Sequence, residues 1–376
     1  MKILISLSYY APHISGLTNS IKNLAELLVQ NGYTIEVLTT QHKKKLPFKQ
    51  TINNVQVQRI PYLFKIYKGF FMPTFCFSVY LSLRQVDQVI INLPQLEGWI
   101  VALMAKIMGK KVHCIYACDV TFEKGLFPKF IEYALRVINM ISLLLSDTII
   151  TLTDDFIVKV PVRRAEIQVI YPVVHKPVVS KIALADLEAR LSPKRRYYIG
   201  FVGRIAAEKG IEYLLETIPF LKQQFGDNFV ILFAGPSQAV GEGAYLETIH
   251  TAFRQAKAQV MHIGELKEES LGVFYSMLDV LVIPSINSTE AFGMVQVEAM
   301  FCGTPVVVTN LPGVRVPVRE TGMGEIAEPK NTEDLAKKII MVLRDEETYK
   351  KRKPIAEQVF SQEGVLAKYK ALLEVK

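Results

Sequence analysis

Short apolar runs alternate with stretches of helical spacing along most of the chain. The runs 3–7 and 35–38 flank a stretch in which apolar residues recur every three to four positions and which stops at Gly32, a pattern that predicts strand, helix, strand. Because a helix that joins two strands favours a parallel pair, we expect a parallel sheet. Further apolar runs alternate with helical stretches as far as residue 171, so residues 1–175 are predicted to form one doubly wound domain.

The alternation stops at a charged, proline-bearing interval and then starts again. Residues 176–196 form this interval and are predicted to be a linker. Residues 197–354 again alternate apolar runs with helical stretches, which predicts a second parallel-sheet domain. Residues 355–376 have helical spacing with no strand after them, and this C-terminal helix could return to the first domain. The predicted fold class is therefore α/β, with two doubly wound, Rossmann-like domains.

Composition narrows the class of protein and of partner. The 376 residues suffice for two cores, and a content of 50% hydrophobic and 21% charged residues excludes disorder. Lys and Arg number 44 against 36 Asp and Glu, a net charge of +8 that suits nucleotide phosphates or an acidic membrane surface. Nucleic acid is not expected, because the sequence has no zinc-finger spacing, no aromatic RNA-binding signature and no continuous basic helix.

Cysteine content and hydropathy predict a cytoplasmic location. The four cysteines include no CxxC pair, which favours a reduced protein. The N-terminal MKILISLSYY lacks a long apolar signal core and is typical of a first strand. The most apolar helical stretch, 137–145, is interrupted by Asn139 and Ser142, so we expect no membrane span. Any attachment to a bilayer would be peripheral.

Two carboxylates surround a predicted helix start between residues 284 and 309. Glu290 lies in the loop before the helix, and Glu298 lies about two turns further along, so both can face one ligand. The free amides of the first turn, near Gly293, can stabilise an anion. The alternative is that Glu290 only favours the helix dipole and that Glu298 is a solvated helix residue.

Two other loops place charge or glycine where parallel strands end. Arg204 ends the first strand of the second domain and Lys209 precedes the next helix, so the two cations could clamp a diphosphate; the alternative is a pair of exposed charges. Ser15 and Gly16 precede the first helix, where main-chain amides can approach a phosphate or a sugar, although such a glycine is more often steric. The absence of GxGxxG after the first strand argues against a dinucleotide-dependent oxidoreductase.

These features together resemble the retaining glycosyltransferases of family 4, also called group 1, which have the GT-B fold of two domains facing a cleft. The stretch EAFGMVQVE from Glu290 to Glu298, followed by AMFCGTPVV, is similar to the paired-glutamate signature of that family. The VGR and KG steps at Arg204 and Lys209 and the PHISG loop are also similar to family motifs, with Ser15 in place of a glycine.

The resemblance implies a role for each matched residue. Glu298 would hold the ribose hydroxyls of a nucleotide-sugar donor, Glu290 and the main chain of 292–295 its sugar, and Arg204 with Lys209 its diphosphate. The strand ends near residues 235 and 264 would hold the base, largely through main chain. The implied substrate-binding residues are Ser15, Gly16, Arg204, Lys209, Glu290, Ala291, Phe292, Gly293, Met294, Val295 and Glu298.

The implied reaction transfers a glycosyl group, with retention, from a nucleotide-diphosphate sugar to a hydroxyl of an acceptor glycan or glycolipid, such as a lipid-linked or cell-envelope precursor. The implied catalytic residues are Asp119, Glu290, Arg204 and Lys209. Many relatives carry a His where this chain has Ala117, which leaves Asp119 to help deprotonate the acceptor, with a turn or helix cap as the alternative. His13 and His113 rank below it, since a lone His beside a strand is usually structural.

Neither a metal nor a cofactor is expected beyond the donor substrate itself. The sequence has no zinc-type His/Cys cluster and no DxD triplet. Cationic side chains and helix amides would then neutralise the leaving diphosphate in place of a metal ion.

Two further groups could contact an acceptor or a membrane. Asn92, Gln95 and Glu97 follow a strand end and could contact the acceptor or cap the next helix, and capping is favoured. Lys43–Lys45 and the segment from Tyr62 to Phe71 interleave cations with aromatic rings, a combination typical of surfaces that meet anionic headgroups. The alternative is a partly buried loop and helix.

Two rival functions remain compatible with these residues. A nucleotide-sugar epimerase or a phosphorylase-like enzyme would keep the GT-B fold and change the reaction, and products from a labelled donor would separate them from a transferase. A non-catalytic nucleotide-sugar-binding subunit is suggested by Ser15 and Ala117, and it would bind the nucleotide without transfer or donor hydrolysis.

Overall fold

The computed structural model describes residues 1–66, 69–118, 126–160, 162, 165–179, 187, 197–236 and 243–374. Contacts divide the chain into two units, which we call unit 1 (Met1–Val173 with Gln362–Lys376) and unit 2 (Val174–Ser361). Most of the predicted linker, 176–196, lies outside the described residues.

The strands of unit 1 form one large sheet and one small hairpin. Their bounds are β1 (Lys2–Ser6), β2 (Thr34–Thr40), β3 (Lys49–Ile52), β4 (Val55–Ile60), β5 (Phe64–Ile66), β6 (Gly69–Phe71), β7 (Gln88–Leu93), β8 (Lys111–Tyr116), β9 (Thr148–Thr151) and β10 (Glu166–Val169). The described sheet has the order β10-β9-β8-β7-β1-β2-β4-β3, and every pair is parallel except β3 with β4. The antiparallel edge strand β3 and the antiparallel hairpin β5–β6 were not predicted.

Helices pack against this sheet through apolar faces. They are α1 (Gly16–Gln30), α2 (Phe75–Leu83), α3 (Gly98–Ile107) and α4 (Leu126–Leu144), with a 3-10 helix at Asp154–Lys159. In α1 the periodic residues Ile21, Leu24 and Leu28 are buried. Strands β1 and β7 are almost wholly buried because helices cover both faces of a doubly wound sheet.

Unit 2 has a second, wholly parallel sheet. Its strands are β11 (Tyr197–Val202), β12 (Phe229–Ala234), β13 (Val260–Gly264), β14 (Val280–Ile283), β15 (Val306–Thr309) and β16 (Gly324–Ala327), in the order β13-β12-β11-β14-β15-β16. Its helices are α5 (Ile211–Glu216), α6 (Ile218–Phe225), α7 (Gly243–Gln255), α8 (Glu268–Met277), α9 (Met294–Cys302), α10 (Val316–Thr321), α11 (Thr332–Arg344), α12 (Glu346–Lys350) and α13 (Lys353–Val359). The predicted fold class, α/β with doubly wound parallel sheets, is confirmed.

The predicted single helix over 355–376 is wrong in its extent. The structure has two helices there, α13 in unit 2 and α14 (Gln362–Glu374) in unit 1. They are separated at Phe360, whose ring is buried edge-on against Phe292, 5.8 Å between centroids. Helical spacing continues across this turn, so periodicity alone cannot show the break.

The last helix, α14, is fixed to unit 1 by packing and by hydrogen bonds. Tyr369 and Leu373 are buried in the core of that unit. The Tyr33 hydroxyl donates to the Glu374 carboxylate at 2.7 Å, and Gln88 Nε2 donates to the Leu373 carbonyl at 2.8 Å. Helix α14 is therefore part of unit 1. No helix among the described residues combines the length and the apolar character that crossing a bilayer requires.

Candidate functional site

Two loops of unit 2 lie side by side because the strands before them pair. Strands β11 and β14 are parallel neighbours at the centre of the sheet, so the loops after Val202 and Ile283 leave the same edge. The Ile286 N–H donates to the Glu208 carbonyl at 3.0 Å. At Gly210 (φ +62°) a Cβ would lie 2.2 Å from the Pro284 carbonyl oxygen, so only glycine allows this approach.

The close approach of the loops brings a predicted cation and a predicted acid together. Lys209 ends a 3-10 helix (Ala207–Lys209), and its Nζ donates to Oε2 of Glu290. The two side chains are 21% and 18% exposed, so the pair is only partly desolvated and remains accessible. The sequence predicted a separate role for each residue and gave no sign of this ion pair, which joins positions far apart in the chain.

Arg204 lies in the first of these loops but is more exposed than Lys209. Its guanidinium donates to the Glu208 carboxylate four residues later, and 49% of its side chain is exposed. An ion pair in such a position contributes little to stability, because water screens both charges. The guanidinium can therefore change partner at low cost, as an anion-binding group must.

Glycines also allow main-chain segments to approach each other closely at the neighbouring ends of β11, β12 and β13. At Gly235 (φ +151°) a Cβ would lie 2.0 Å from the Gly203 carbonyl oxygen. The Gly235 N–H donates to the Gly264 carbonyl at 2.9 Å, and the His262 ring lies 3.0 Å from the Gly235 carbonyl. This is the edge at which the resemblance implies a base-binding main chain, and His262 is a neighbour that the sequence did not single out.

Helix α9 begins at the second loop, at a residue in the left-handed region. Gly293 is its N-cap, with φ +73°. Gln296 Nε2 donates to the Val314 carbonyl at 3.0 Å and also to the Phe292 carbonyl, which fixes the turn. The amides of Met294 and Val295 lie in the first helical turn, where amides have no partner within the helix. Ala291 and Phe292 are buried, so their side chains support the turn and only their main chain can serve a ligand.

Glu298 is half-buried on α9 and has a specific partner. The Tyr275 hydroxyl of α8 donates to Glu298 Oε2 at 2.7 Å. Burial raises the pKa of the Glu298 carboxyl, and the hydrogen bond from Tyr275 opposes that rise. The sequence gives no sign of this role for Tyr275, because a tyrosine in an apolar helix carries no local signal of its partner on another helix.

The predicted site residues of unit 1 are only partly described. Ser15 is the N-cap of α1, and its Oγ accepts from the Thr18 N–H at 3.2 Å. A Cβ at Gly16 would meet no atom within 4 Å, so packing does not require glycine there. Asp119 lies outside the described residues, and Ala117, two residues earlier, is buried.

The other candidate residues of unit 1 that the structure describes include His113, Gln95 and Glu97, and all three are buried. Burial lowers the pKa of His113 to about 4, and its Nε2 lies 2.8 Å from Gln88 Oε1, which is typical of a structural histidine. Gln95 shares hydrogen bonds of 3.1 and 3.2 Å with the Ser6 hydroxyl. Glu97 is the N-cap residue of α3, but its side chain makes no capping hydrogen bond, so the favoured capping role is wrong for this residue.

No group of three or more His, Cys, Asp or Glu side chains within the described ranges is placed to hold a metal ion. The predicted membrane segment includes the hairpin β5–β6, in which the rings of Phe64 and Phe71 stack with centroids 4.9 Å apart and are 49% and 52% exposed, whereas Phe70 is buried. Tyr67 and Lys68 of that segment lie outside the described residues.

The region that holds these residues of unit 2 is similar to a known protein family. Residues 185–359, which cover most of unit 2, match the family described as glycosyl transferases group 1. An uncharacterized glycosyltransferase of Methanocaldococcus jannaschii is 28% identical over 373 residues, covering 92% of this chain and 90% of that one.

Two solved structures show the same fold over the whole chain. Sucrose-phosphate synthase of Thermosynechococcus elongatus has a TM-score of 0.80 and 19% identity, covering 99% of this chain and 98% of that chain. The Anabaena protein HepE in complex with UDP-glucose has a TM-score of 0.78 and 17% identity, covering 99% of both chains. The family match shows that residues 185–359 are similar to group 1 glycosyltransferases, and the two solved structures show that the chain shares their fold.

Proposed function

We propose that this chain is a retaining, metal-independent glycosyltransferase of family 4 that uses a nucleotide-diphosphate sugar as donor. The observation that carries the proposal is the meeting of Lys209, Glu290 and the first turn of α9 at one edge of unit 2. A cation, a carboxylate and free helix amides are the groups that a sugar joined to a diphosphate would need.

Each group has a task in the proposed reaction. The Lys209 ammonium would exchange the Glu290 carboxylate for a phosphate oxygen, which frees Glu290 to accept from a hydroxyl of the donor sugar. As the bond between sugar and diphosphate breaks, negative charge grows on the leaving oxygens. Lys209, Arg204 and the amides of Met294 and Val295 would stabilise that charge more than they stabilise the ground state.

Glu298 would hold the ribose of the donor. With Oε2 occupied by the Tyr275 hydroxyl, the carboxylate has capacity left to accept from two vicinal ribose hydroxyls. Tyr275 would fix the orientation of the carboxylate and hold it ionised against the effect of burial. We propose a uridine nucleotide because HepE was solved with UDP-glucose.

The proposed acceptor is a glycan or a glycolipid, such as a lipid-linked or cell-envelope precursor, reached from the cytoplasm at a membrane surface. The exposed rings of Phe64 and Phe71, together with Leu63 (71% exposed) and the exposed Lys43–Lys45, support this proposal. Sedimentation with anionic phosphatidylglycerol vesicles should recover the wild type and not Phe64→Ser/Phe71→Ser. Equal recovery of both proteins would exclude this contact.

Donor turnover tests the reaction itself. The protein should release UDP from UDP-glucose in the presence of EDTA, and faster with an acceptor, and NMR of the glycoside should show the axial anomeric linkage of the donor retained. Activity that is lost in EDTA and restored by magnesium would contradict metal independence. An inverted product would contradict retention. A changed nucleotide sugar without transfer would indicate an epimerase, and binding without turnover a non-catalytic subunit.

A further inference from the structure

Glu208 contacts both loops of the candidate site in unit 2. It is the middle residue of the 3-10 helix Ala207–Lys209 and lies four residues after Arg204. Its main-chain carbonyl accepts from the Ile286 N–H at 3.0 Å, and its carboxylate accepts from the Arg204 guanidinium. The main chain of Glu208 therefore fixes the loop that leads to Glu290, while its side chain holds a cation of the other loop.

The pair of Arg204 and Glu208 spans a loop and is not a contact along a helix. Residues 204–206 lie outside any helix or strand, and the 3-10 helix begins at Ala207. The two residues after Arg204 are firmly packed, since Ile205 and Ala206 are 1% and 0% exposed. In a helix, partners four residues apart meet wherever the helix forms. Here their contact depends on the conformation of this particular loop.

The two partners differ in burial. The Glu208 side chain is 17% exposed, whereas the Arg204 side chain is 49% exposed. The carboxylate is therefore the end of the pair that the protein encloses, and the guanidinium is the end that reaches solvent. A guanidinium has five N–H donors and Glu208 occupies only part of this fork, so donors remain for a phosphate oxygen. The pair can hold Arg204 and leave it able to bind an anion.

The two cations of the site are fixed by different means. Lys209 lies beside Gly210, whose main chain packs so closely against the Pro284 carbonyl that a Cβ would lie 2.2 Å from its oxygen. Main-chain contacts therefore hold the Lys209 end of the loop. Among the described residues, the ion pair that Arg204 makes is with Glu208. The direction of the Arg204 guanidinium thus depends on that carboxylate.

Orienting a side chain and stabilising the fold are separate effects of such a pair. A half-exposed ion pair adds little to the free energy of unfolding, because water screens both charges. A free arginine side chain has a large rotamer entropy, part of which is lost when it binds a phosphate. A carboxylate that restricts the guanidinium beforehand lowers that cost. The guanidinium is then already oriented when negative charge develops on a leaving phosphate.

We propose that Glu208 is a positioning residue of the donor site, which holds the Arg204 guanidinium toward the diphosphate. This inference rests on the proposed function, since the diphosphate belongs to the nucleotide-sugar donor. Glu208 touches no substrate and acts through Arg204. Its effect should therefore appear in the rate of the reaction and should depend on the presence of Arg204.

Steady-state release of UDP from UDP-glucose by the full chain in EDTA tests this dependence. Glu208→Ala should lower kcat by about tenfold, the effect of one charge-assisted hydrogen bond, and change KM by less than about threefold. Glu208→Gln keeps an oxygen that accepts from the guanidinium, so it should keep most of the wild-type kcat. In the Arg204→Ala background, Glu208→Ala should have no further effect, because the group that it positions is gone.

A second paired carboxylate of unit 2 provides the matched control. Glu347 of α12 lies 3.9 Å from the Lys350 ammonium and is 82% exposed, and Glu347→Ala should leave kcat unchanged. Thermal unfolding shows whether each variant is folded. Glu208→Ser removes the same carboxylate and makes the same comparison if Glu208→Ala does not fold.

Three results would overturn the inference: an unchanged kcat in the folded truncation variant, an equal loss from Glu208→Ala with and without Arg204, or a loss in Glu208→Gln as large as that in Glu208→Ala. Failure of the proposed function looks different. In that case the wild type itself would neither bind nor turn over UDP-glucose, whereas wild-type turnover that the truncation leaves unchanged would refute the positioning role alone.

Discussion

The strand ends of the two units differ in how their polar groups are satisfied. In unit 2 the functional candidates are paired with each other or with neighbours: Lys209 with Glu290, Arg204 with Glu208, and Glu298 with Tyr275. In unit 1 Glu97 is buried and its Oε1 makes no hydrogen bond. Paired charges suit a site that exchanges one anion for another, and an unpaired carboxyl suits a site that takes a neutral hydroxyl donor. We therefore expect the two edges to favour different classes of ligand.

The largest expected effect follows from removing a cation of unit 2. Lys209→Ala and Arg204→Ala should lower transfer by about 10²–10³, the range for loss of one preorganised charge-stabilising group. Arg204 is the more exposed, so we expect its effect at the lower end. Steady-state release of UDP provides the measurement, and Lys337→Ala, an exposed lysine of α11, is the matched control. Unchanged turnover in both site variants would remove these residues from the diphosphate site.

Replacing a glycine by alanine should affect the stability of the two units differently. Gly235→Ala would force a Cβ to within 2.0 Å of a carbonyl oxygen at a left-handed φ, and we expect a loss of about 3 kcal/mol in the free energy of unfolding. Gly16→Ala in unit 1 meets open space and should change stability by less than about 1 kcal/mol. Urea denaturation compares them, and equal stabilities would show that the loops of unit 2 can relax.

The ionised carboxylate of Glu97 should lower the free energy of unfolding, as expected of a group that does not serve stability. Burial raises the pKa of its carboxyl to about 7. The unfolded chain then ionises from about pH 4.5 upward while the folded chain does not, so stability falls as pH rises toward 7. Glu97→Gln should therefore stabilise the protein by about 1–3 kcal/mol at about pH 8 and have little effect at about pH 4. A destabilised variant at the higher pH would assign Glu97 a structural role.

His113 should show the opposite dependence, as a purely structural group of the same unit. Burial lowers its pKa to about 4, so below about pH 6.5 the unfolded chain takes up a proton that the folded chain does not. Wild-type stability thus falls between those values. The cost of His113→Leu should be about 2 kcal/mol smaller at about pH 4.5 than at about pH 7. A pH-independent cost, measured by denaturant titration, would contradict this account.

Much of the fold was readable from the sequence, because strands and helices depend on local pattern. Apolar runs and helical spacing predicted most strands of both parallel sheets, although not β16, and short motifs singled out Arg204, Lys209, Glu290 and Glu298 as candidate site residues. The break at Phe360 could not be read, since it depends on the Phe292 ring far away in the chain.

What the sequence could not show is pairing between distant segments. The partners Lys209–Glu290 and Tyr275–Glu298 come from the parallel neighbours of a sheet and from two packed helices. The rings of Tyr9, His13, His42, Tyr62 and Phe70 in unit 1 come from four segments that are separate in the sequence. Glu97 was assigned a capping role because its position at a helix start is a local fact, whereas its contact with the Phe70 main chain is not.

The central claim is that a metal-free donor site in unit 2 depends on Lys209. Calorimetric titration of UDP-glucose into the wild type and Lys209→Ala, both in EDTA, tests it most directly. We predict that the wild type binds and that the variant binds at least about tenfold more weakly, the effect of losing one charge-assisted contact. Equal affinity of the two proteins, or wild-type binding that appears only when magnesium replaces EDTA, would contradict the claim.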